Sequence, residues 1–277
     1  MNDELKFTVI SDTHYYSKKN FVDGFDKNKK PKPGQLFFSR SEEIVEHTFD
    51  CLCKNDTPDI VLISGDLTYN GERTSHDEMK AALKKLQQKG KRVYVITATH
   101  DYTTPRMPTY GIDKNDKYIE VESVNRTQLL KYYGDFGYNN AIAKHKSTMS
   151  YVAQLADGYR LFALNDDYGD PDCGFSDELM NWVKTEANNA KRDGQYIIAM
   201  THHPLVPPSP IYAAVAKGDM LNEYELRRNQ LSDLGFDFVL TGHTHMHNIS
   251  YCKIGNKKFY DISTAALTGF PPYYRQI

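Results

Sequence analysis

Five short apolar runs in this chain each end on a cluster of aspartate or histidine. Phe7–Ile10 leads into Asp12-Thr13-His14, Ile60–Ile63 into Gly65-Asp66, and Val93–Ile96 into Thr99-His100-Asp101. Tyr196–Met200 leads into His202-His203-Pro204, and Phe238–Leu240 into Gly242-His243-Thr244-His245. Runs of this length, rich in β-branched and aromatic residues, read as buried strands. Helical patterns lie between them, so the chain reads as an α/β fold. Its polar clusters then gather at the edge of the sheet where open α/β folds bind ligands.

The helical segments carry their own signals. Ser39, three before Glu42, marks a capping box, and Ile44, Val45, Thr48, Phe49 and Leu52 give the helix that follows one apolar face. Ser75-His76-Asp77-Glu78 repeats the capping pattern ahead of Met79, Ala82, Leu83 and Leu86, with Gly90 as the stop. A helix is expected around Asn125–Tyr133, and two strands at Ser150–Gln154 and Arg160–Asn165. Another helix starts at Ser176 and buries Leu179, Trp182, Val183 and Ala187. Helical spacing returns near Asn222–Leu234, and Asn248–Ile254 with Lys257–Ser263 forms a hairpin turning at Gly255-Asn256. Tyr15–Phe38 and Tyr102–Glu122 are irregular, leave the motif edge, and are candidates for a pocket rim. The last residues, Tyr274–Ile277, show no capping or terminal element, which leaves open a missing accessory segment.

At 277 residues, the chain is read as one domain. A net charge of −2 asks for neither nucleic acid nor a membrane surface, and no apolar stretch approaches the ~20 residues of a bilayer span. Without an apolar leader at Met1-Asn2-Asp3-Glu4, the expected location is cytoplasmic, unless a leader has been removed. Four cysteines are too few for a disulfide framework.

Carboxylates mixed with imidazoles suit Mn, Fe, Zn or Co rather than a thiolate-loving ion. A pair of such ions about 3.5–4 Å apart needs a bridging anionic ligand, which one aspartate can supply. The pair lowers the pKa of a shared water and clamps phosphoryl oxygens, which is what phosphoryl transfer requires. The five motifs, in this order, resemble the calcineurin-like metallophosphoesterase superfamily, whose pattern is D-x-H, G-D, G-N-H-D, H and G-H-x-H. The resemblance implies a four-layer α-β-β-α sandwich of two packed mixed sheets. It implies a dinuclear site of divalent or mixed-valence transition metals, and hydrolysis of a phosphate ester by a metal-bridging hydroxide. Asp12, His14 and His245 would hold the first metal, Asp66 would bridge, and His202 and His243 would hold the second. His100 would stabilise or protonate the departing oxygen, oriented by Asp101. His203 would be a structural neighbour. Ser64–His76 and Asp135-Phe136-Gly137-Tyr138 are similar to a bacterial branch that includes cyclic-nucleotide phosphodiesterases. A small phosphodiester is therefore the leading substrate, with a phosphomonoester as alternative.

Thr99 departs from the pattern, standing where the family places the Asn whose amide oxygen reaches the second metal. A shorter, neutral hydroxyl weakens that site. A catalytically weakened binding platform is the reading from another class. Tyr69, three after Asp66, is placed as tyrosine ligands are in purple acid phosphatases, but His14 already fills that coordination place. Asp166 and Tyr168 leave a strand on the motif side, either as pocket-lining residues or as a polar turn. Cys51 and Cys53 diverge on a helix and are expected to be buried thiols rather than ligands. The Lys27–Lys32 run reads as a solvated loop. The 20 tyrosines allow stacking platforms without identifying any.

Overall fold

The computed structural model describes residues 4–22, 36–54, 56–167 and 172–277. Tyr168 and the Lys27–Lys32 run lie outside the described residues. In chain order the elements are β1 (Phe7–Ile10), α1 (Ser41–Lys54), β2 (Ile60–Ser64), α2 (Arg73–Gln88), β3 (Arg92–Ile96), β4 (Gly111–Ile112) and β5 (Tyr118–Ile119). Then come α3 (Leu129–Tyr133), β6 (Ala143–His145), β7 (Ser150–Ala156), β8 (Tyr159–Ala163), α4 (Asp177–Arg192) and β9 (Tyr196–Met200). The chain closes with α5 (Pro210–Val215), α6 (Tyr224–Asp233), β10 (Phe238–Thr241), β11 (Asn248–Ile254), β12 (Lys257–Ser263) and β13 (Arg275–Gln276).

The strands form two main sheets, ordered β13-β1-β2-β3 and β11-β12-β10-β9-β8-β7-β6. Within them β1, β2 and β3 run parallel, as do β8, β9, β10 and β12, while β6, β7, β11 and β13 join antiparallel. Strand alternation sorts the second sheet's side chains between two cores. Leu161, Ala163, Ile198, Met200 and Leu240 enter one core with β1–β3, α1 and α2. Phe162, Ala199 and Val239 turn to the other face, against α4 and Leu231 of α6. The result is the α-β-β-α layering. Helices α1 and α2 dock through Val45, Phe49 and Leu52 and through Met79, Leu83 and Leu86, one stripe each at helical spacing.

Several sequence expectations need correction. Ser39 lies in a 3₁₀ turn at Phe38–Arg40, and α1 begins at Ser41, whose hydroxyl receives the Tyr16 amide at 2.8 Å. Ser75 sits inside α2, and its hydroxyl accepts from the Ser17 amide and the Asn20 side chain, both at 3.1 Å. At Ser75, long-range partners thus occupy the hydroxyl that a local cap would use. Ser176 does cap α4, accepting from the Leu179 amide. Trp182 is half-buried rather than buried, and so are Cys51 and Cys53. The loop after β3 contains the β4–β5 hairpin. The C-terminus does have a terminal element: β13 pairs with β1, and Phe7 and Ile277 exchange backbone hydrogen bonds at 2.9 and 3.0 Å. This tail covers the ladder that β1 would otherwise expose. Among the described residues, no helix is long and apolar enough to cross a membrane.

Candidate metal centre

The motifs meet at the carboxyl ends of two sheets, not one: β1, β2 and β3 from the first, β9 and β10 from the second. Backbone hydrogen bonds first tie the turns within each sheet. The Asp12 amide donates to Gly65 O and the His14 amide to Asp66 O, while the Gly242 amide donates to His202 O. Side chains then cross between sheets. Asp12 Oδ2 accepts from the His243 amide at 3.1 Å and from the Ser11 hydroxyl, and His202 Nδ1 donates to Ser64 O at 2.7 Å.

These turns are strained. Asp12, His14, Asp66, His243 and His245 all have positive φ, between 37° and 62°. Non-glycine residues held there cost of order 1–3 kcal/mol each, and they persist where the surrounding structure over-determines them. Gly242 cannot be replaced, since a Cβ there would run into Ser11 Oγ and within 2.5 Å of Asp12 Oδ2.

Asp12, Asp66 and His202 each spend one side-chain atom on the scaffold and leave another facing inward. Asp66 Oδ1 accepts the His100 amide at 3.0 Å, while Oδ2 lies 3.2 Å from His202 Nε2 and 3.7 Å from His14 Nε2. Asp12 Oδ1 lies 3.4 Å from His245 Nε2 and 3.7 Å from His14 Nε2. Asp12, His14 and His245 form one cluster able to hold a cation; Asp66, His202 and His243 form a second. Asp12 Oδ1 and His202 Nε2 are buried without hydrogen-bond partners, as inward ligand atoms should be. Because His202 Nδ1 donates to a carbonyl, its Nε2 lone pair is presented to the centre. Burial, followed by the charges of His203 and His202, keeps His243 neutral and well below the usual imidazole range. Burial works against a charged His202, yet Asp66 and Asp12 draw it up to about 10. The pocket therefore attracts positive charge, and its donor set fits two hard or borderline cations.

His100 is half-buried beside this set, its ring 4.8 Å from that of His14. Asp101 does not orient it. Its carboxylate is buried and accepts instead from the amides of Thr68 and Ala98, both at 2.9 Å, which shapes the turn. His100 Nδ1 donates to Tyr69 O at 2.6 Å and to Asn70 Oδ1 at 2.8 Å. Asn70 is thus a residue the motif reading missed, and only its place four after Asp66 hinted at it. Glu72 Oε2 steadies it by accepting the Asn70 amide.

Burial of Glu72 pushes its carboxyl from 4.5 to about 7. A raised folded-state pKa means stability is full below pH 4.5 and falls as pH rises through about 7. The loss amounts to roughly 3 kcal/mol. Denaturant titrations at pH 5 and pH 8 should show this slope in the native chain, and Glu72→Gln should flatten it.

Asp166 does not line the pocket. Fully buried, it accepts from Thr201 Oγ1 at 2.8 Å and from the amides of His202 and His203 at 3.1 and 2.7 Å. It also lies 3.3 Å from His203 Nδ1. Despite their burial, each holds the other ionised: His203 goes well above the usual range and Asp166 down to about 2. The His203 ring packs 4.1 Å from His243, so His203 is a buttress, as its sequence position suggested. Removing one partner of a buried ion pair costs about 3–5 kcal/mol. Asp166→Ala should lose that much in chemical denaturation.

Tyr69 packs its ring on Phe38, Tyr16 and Tyr110. Thr99 opens the 3₁₀ turn Thr99–Asp101 that carries His100. The four cysteines are free thiols, and neither Cys51 nor Cys53 joins a metal-holding cluster among the described residues.

Residues 5–247 match the calcineurin-like phosphoesterases, and the chain belongs to that family. Family and donor set together define a dinuclear metal-dependent phosphoester hydrolase. The fold is similar to that of a dimetal phosphatase from Danio rerio, with TM-score 0.65 and 12% identity over 98% of this chain and 91% of that one. Lower likenesses include a phosphopantetheinyl hydrolase from Mycobacterium tuberculosis, with TM-score 0.45 and 14% identity over 98% and 95% of the two chains. Another is an NAD nucleotidase from Haemophilus influenzae, with TM-score 0.46 and 15% identity over 95% and 45%. No curated protein matches the sequence significantly.

Proposed function

We propose that this chain hydrolyses small phosphodiesters at a site where Asp12, His14 and His245 hold one divalent transition metal and His202 and His243 a second. The observation that carries the reading is the position of Asp66 Oδ2 between His202 Nε2 and His14 Nε2, where one carboxylate oxygen serves both clusters. Such a metal pair, when bound, supplies an acidic water and neutralises phosphoryl charge. The remaining work falls to the chain. Buried Asp12 and Asp66 keep the ligands in register, and the His100 amide fixes the rotamer of Asp66. His100 commits Nδ1–H to Tyr69 and Asn70, so Nε2 is the atom left to meet the departing oxygen, and it hands over a proton when the ring is in its imidazolium form.

The diester preference rests on the likeness of Ser64–His76 to the phosphodiesterase branch, and the carboxylate–imidazole donors suit Mn, Fe, Zn or Co. A chromogenic phosphodiester and the matching monoester, followed across a Mn²⁺ titration, test it. Saturable metal-dependent turnover favouring the diester supports the proposal. Faster monoester turnover would reassign the substrate, and no turnover of either would leave a binding platform. Thr99 makes the second site the weaker one. Thr99→Asn, which restores an amide ligand, should tighten the second metal by roughly 10-fold or more in a calorimetric titration.

A further inference from the structure

An aromatic path leads out of the metal centre on the His100 side. The Tyr69 ring lies 6.2 Å from His14 and 6.4 Å from His100. Tyr110 follows edge-on, 6.2 Å from Tyr69 at an interplanar angle of 82°, and Tyr118 lies 4.2 Å from Tyr110, tilted by 42°, so the rings form the walls of a cleft rather than one flat face. Tyr69 and Tyr110 are half-buried, and Tyr118 is 58% exposed, so the path opens to solvent. Its base is rigid. Fully buried Tyr16 packs under Tyr69 at 5.8 Å and donates its hydroxyl to Tyr110 O at 3.1 Å. Next along the chain, Thr109 donates its hydroxyl to Asn70 O, so the ledge is clamped to the residue that orients His100. Half-buried Tyr69 and Tyr110, continued by exposed Tyr118, offer aromatic surface to a planar group next to the centre.

We infer that Tyr69, Tyr110 and Tyr118 form a stacking subsite for a planar aromatic group, a nucleobase or aryl ring, carried on the phosphoryl group held at the metals. The inference rests on the phosphoesterase reading and specifies the substrate class. The ledge adjoins His100, so it serves the side from which the alcohol departs. Stacking on an aromatic side chain strengthens binding of a base by about 5- to 150-fold.

The test is calorimetric binding of phenylphosphonate and methylphosphonate to the Mn²⁺-loaded protein, two non-hydrolysable anions that share the phosphoryl head. In the native chain phenylphosphonate should bind about 5- to 150-fold more tightly. Tyr110→Phe should keep that ratio. Tyr110→Leu, similar in bulk without a π face, should bring it near one. Should Tyr110→Leu fail to fold, exposed Tyr118→Leu is the second variant, with a partial loss expected. Equal affinity for both anions in the native chain overturns the ledge alone, as does a ratio that survives both leucine variants. Failure of both anions to bind overturns the phosphoester reading, and the ledge with it.

Discussion

Asp66→Asn should abolish detectable turnover and release metal. The substitution is isosteric, and its Oδ1 can still accept the His100 amide at the 3.0 Å position, so the fold is spared. What it loses is the charge on Oδ2, which lies 3.2 Å from His202 Nε2 and 3.7 Å from His14 Nε2. Removing even a residue that only supports a ligand costs about 10–100-fold in metal affinity. Removing a carboxylate shared by both clusters should cost at least the upper figure at each. The charge stabilisation a metal pair supplies is worth several kcal/mol, or about 10³-fold in rate. Metal content after dialysis and turnover at saturating Mn²⁺ check the two effects separately. Retention of both metals by Asp66→Asn would end the bridging assignment.

His100→Asn should lower kcat by about 10²–10⁴-fold for an alkyl leaving group. The loss should be far smaller for 4-nitrophenolate, which departs without a proton. Metal content should stay near native, because the two clusters are complete without His100, which groups with His14 and Asp66 but has its Nδ1 committed to Tyr69 O and Asn70 Oδ1. An equal loss for both leaving groups would mean that His100 acts through charge or position rather than through its proton. Asn70→Leu gives a milder version of the same lesion, since the Tyr69 carbonyl still receives Nδ1–H.

The legible part of this protein was local. A buried strand announces itself through a run of apolar residues. The donors sit within a few residues of each run's end, so Asp12, His14, Asp66, His202, His243 and His245 could be placed at strand ends and, through the family resemblance, named as ligands; that these strands belong to two sheets was not legible. The start of α4 at Ser176, which proves to be its N-cap, and the β11–β12 hairpin are equally short-range.

What the sequence did not show depends on partners far away in the chain. Asp101 follows His100 directly, yet its carboxylate turns to Thr68 and Ala98, and Asn70, thirty residues earlier, holds the imidazole. Asp166 could be read as a pocket residue or as part of a polar turn, and the turn after β9 decides it, bonding Oδ2 three times and setting His203 Nδ1 3.3 Å from Oδ1. Ser39 and Ser75 match a capping pattern, but the hydroxyls that the loop after β1 recruits are those of Ser41 and Ser75. Two residues of β13 carry no periodicity, and only the open side of β1 makes them a strand. The sequence alone determined which residue types arrive at the centre, because the backbone period and the strand ends are set by nearby residues. Only the tertiary structure decided which atom of each faces inward, because that choice belongs to hydrogen bonds between segments the chain keeps far apart.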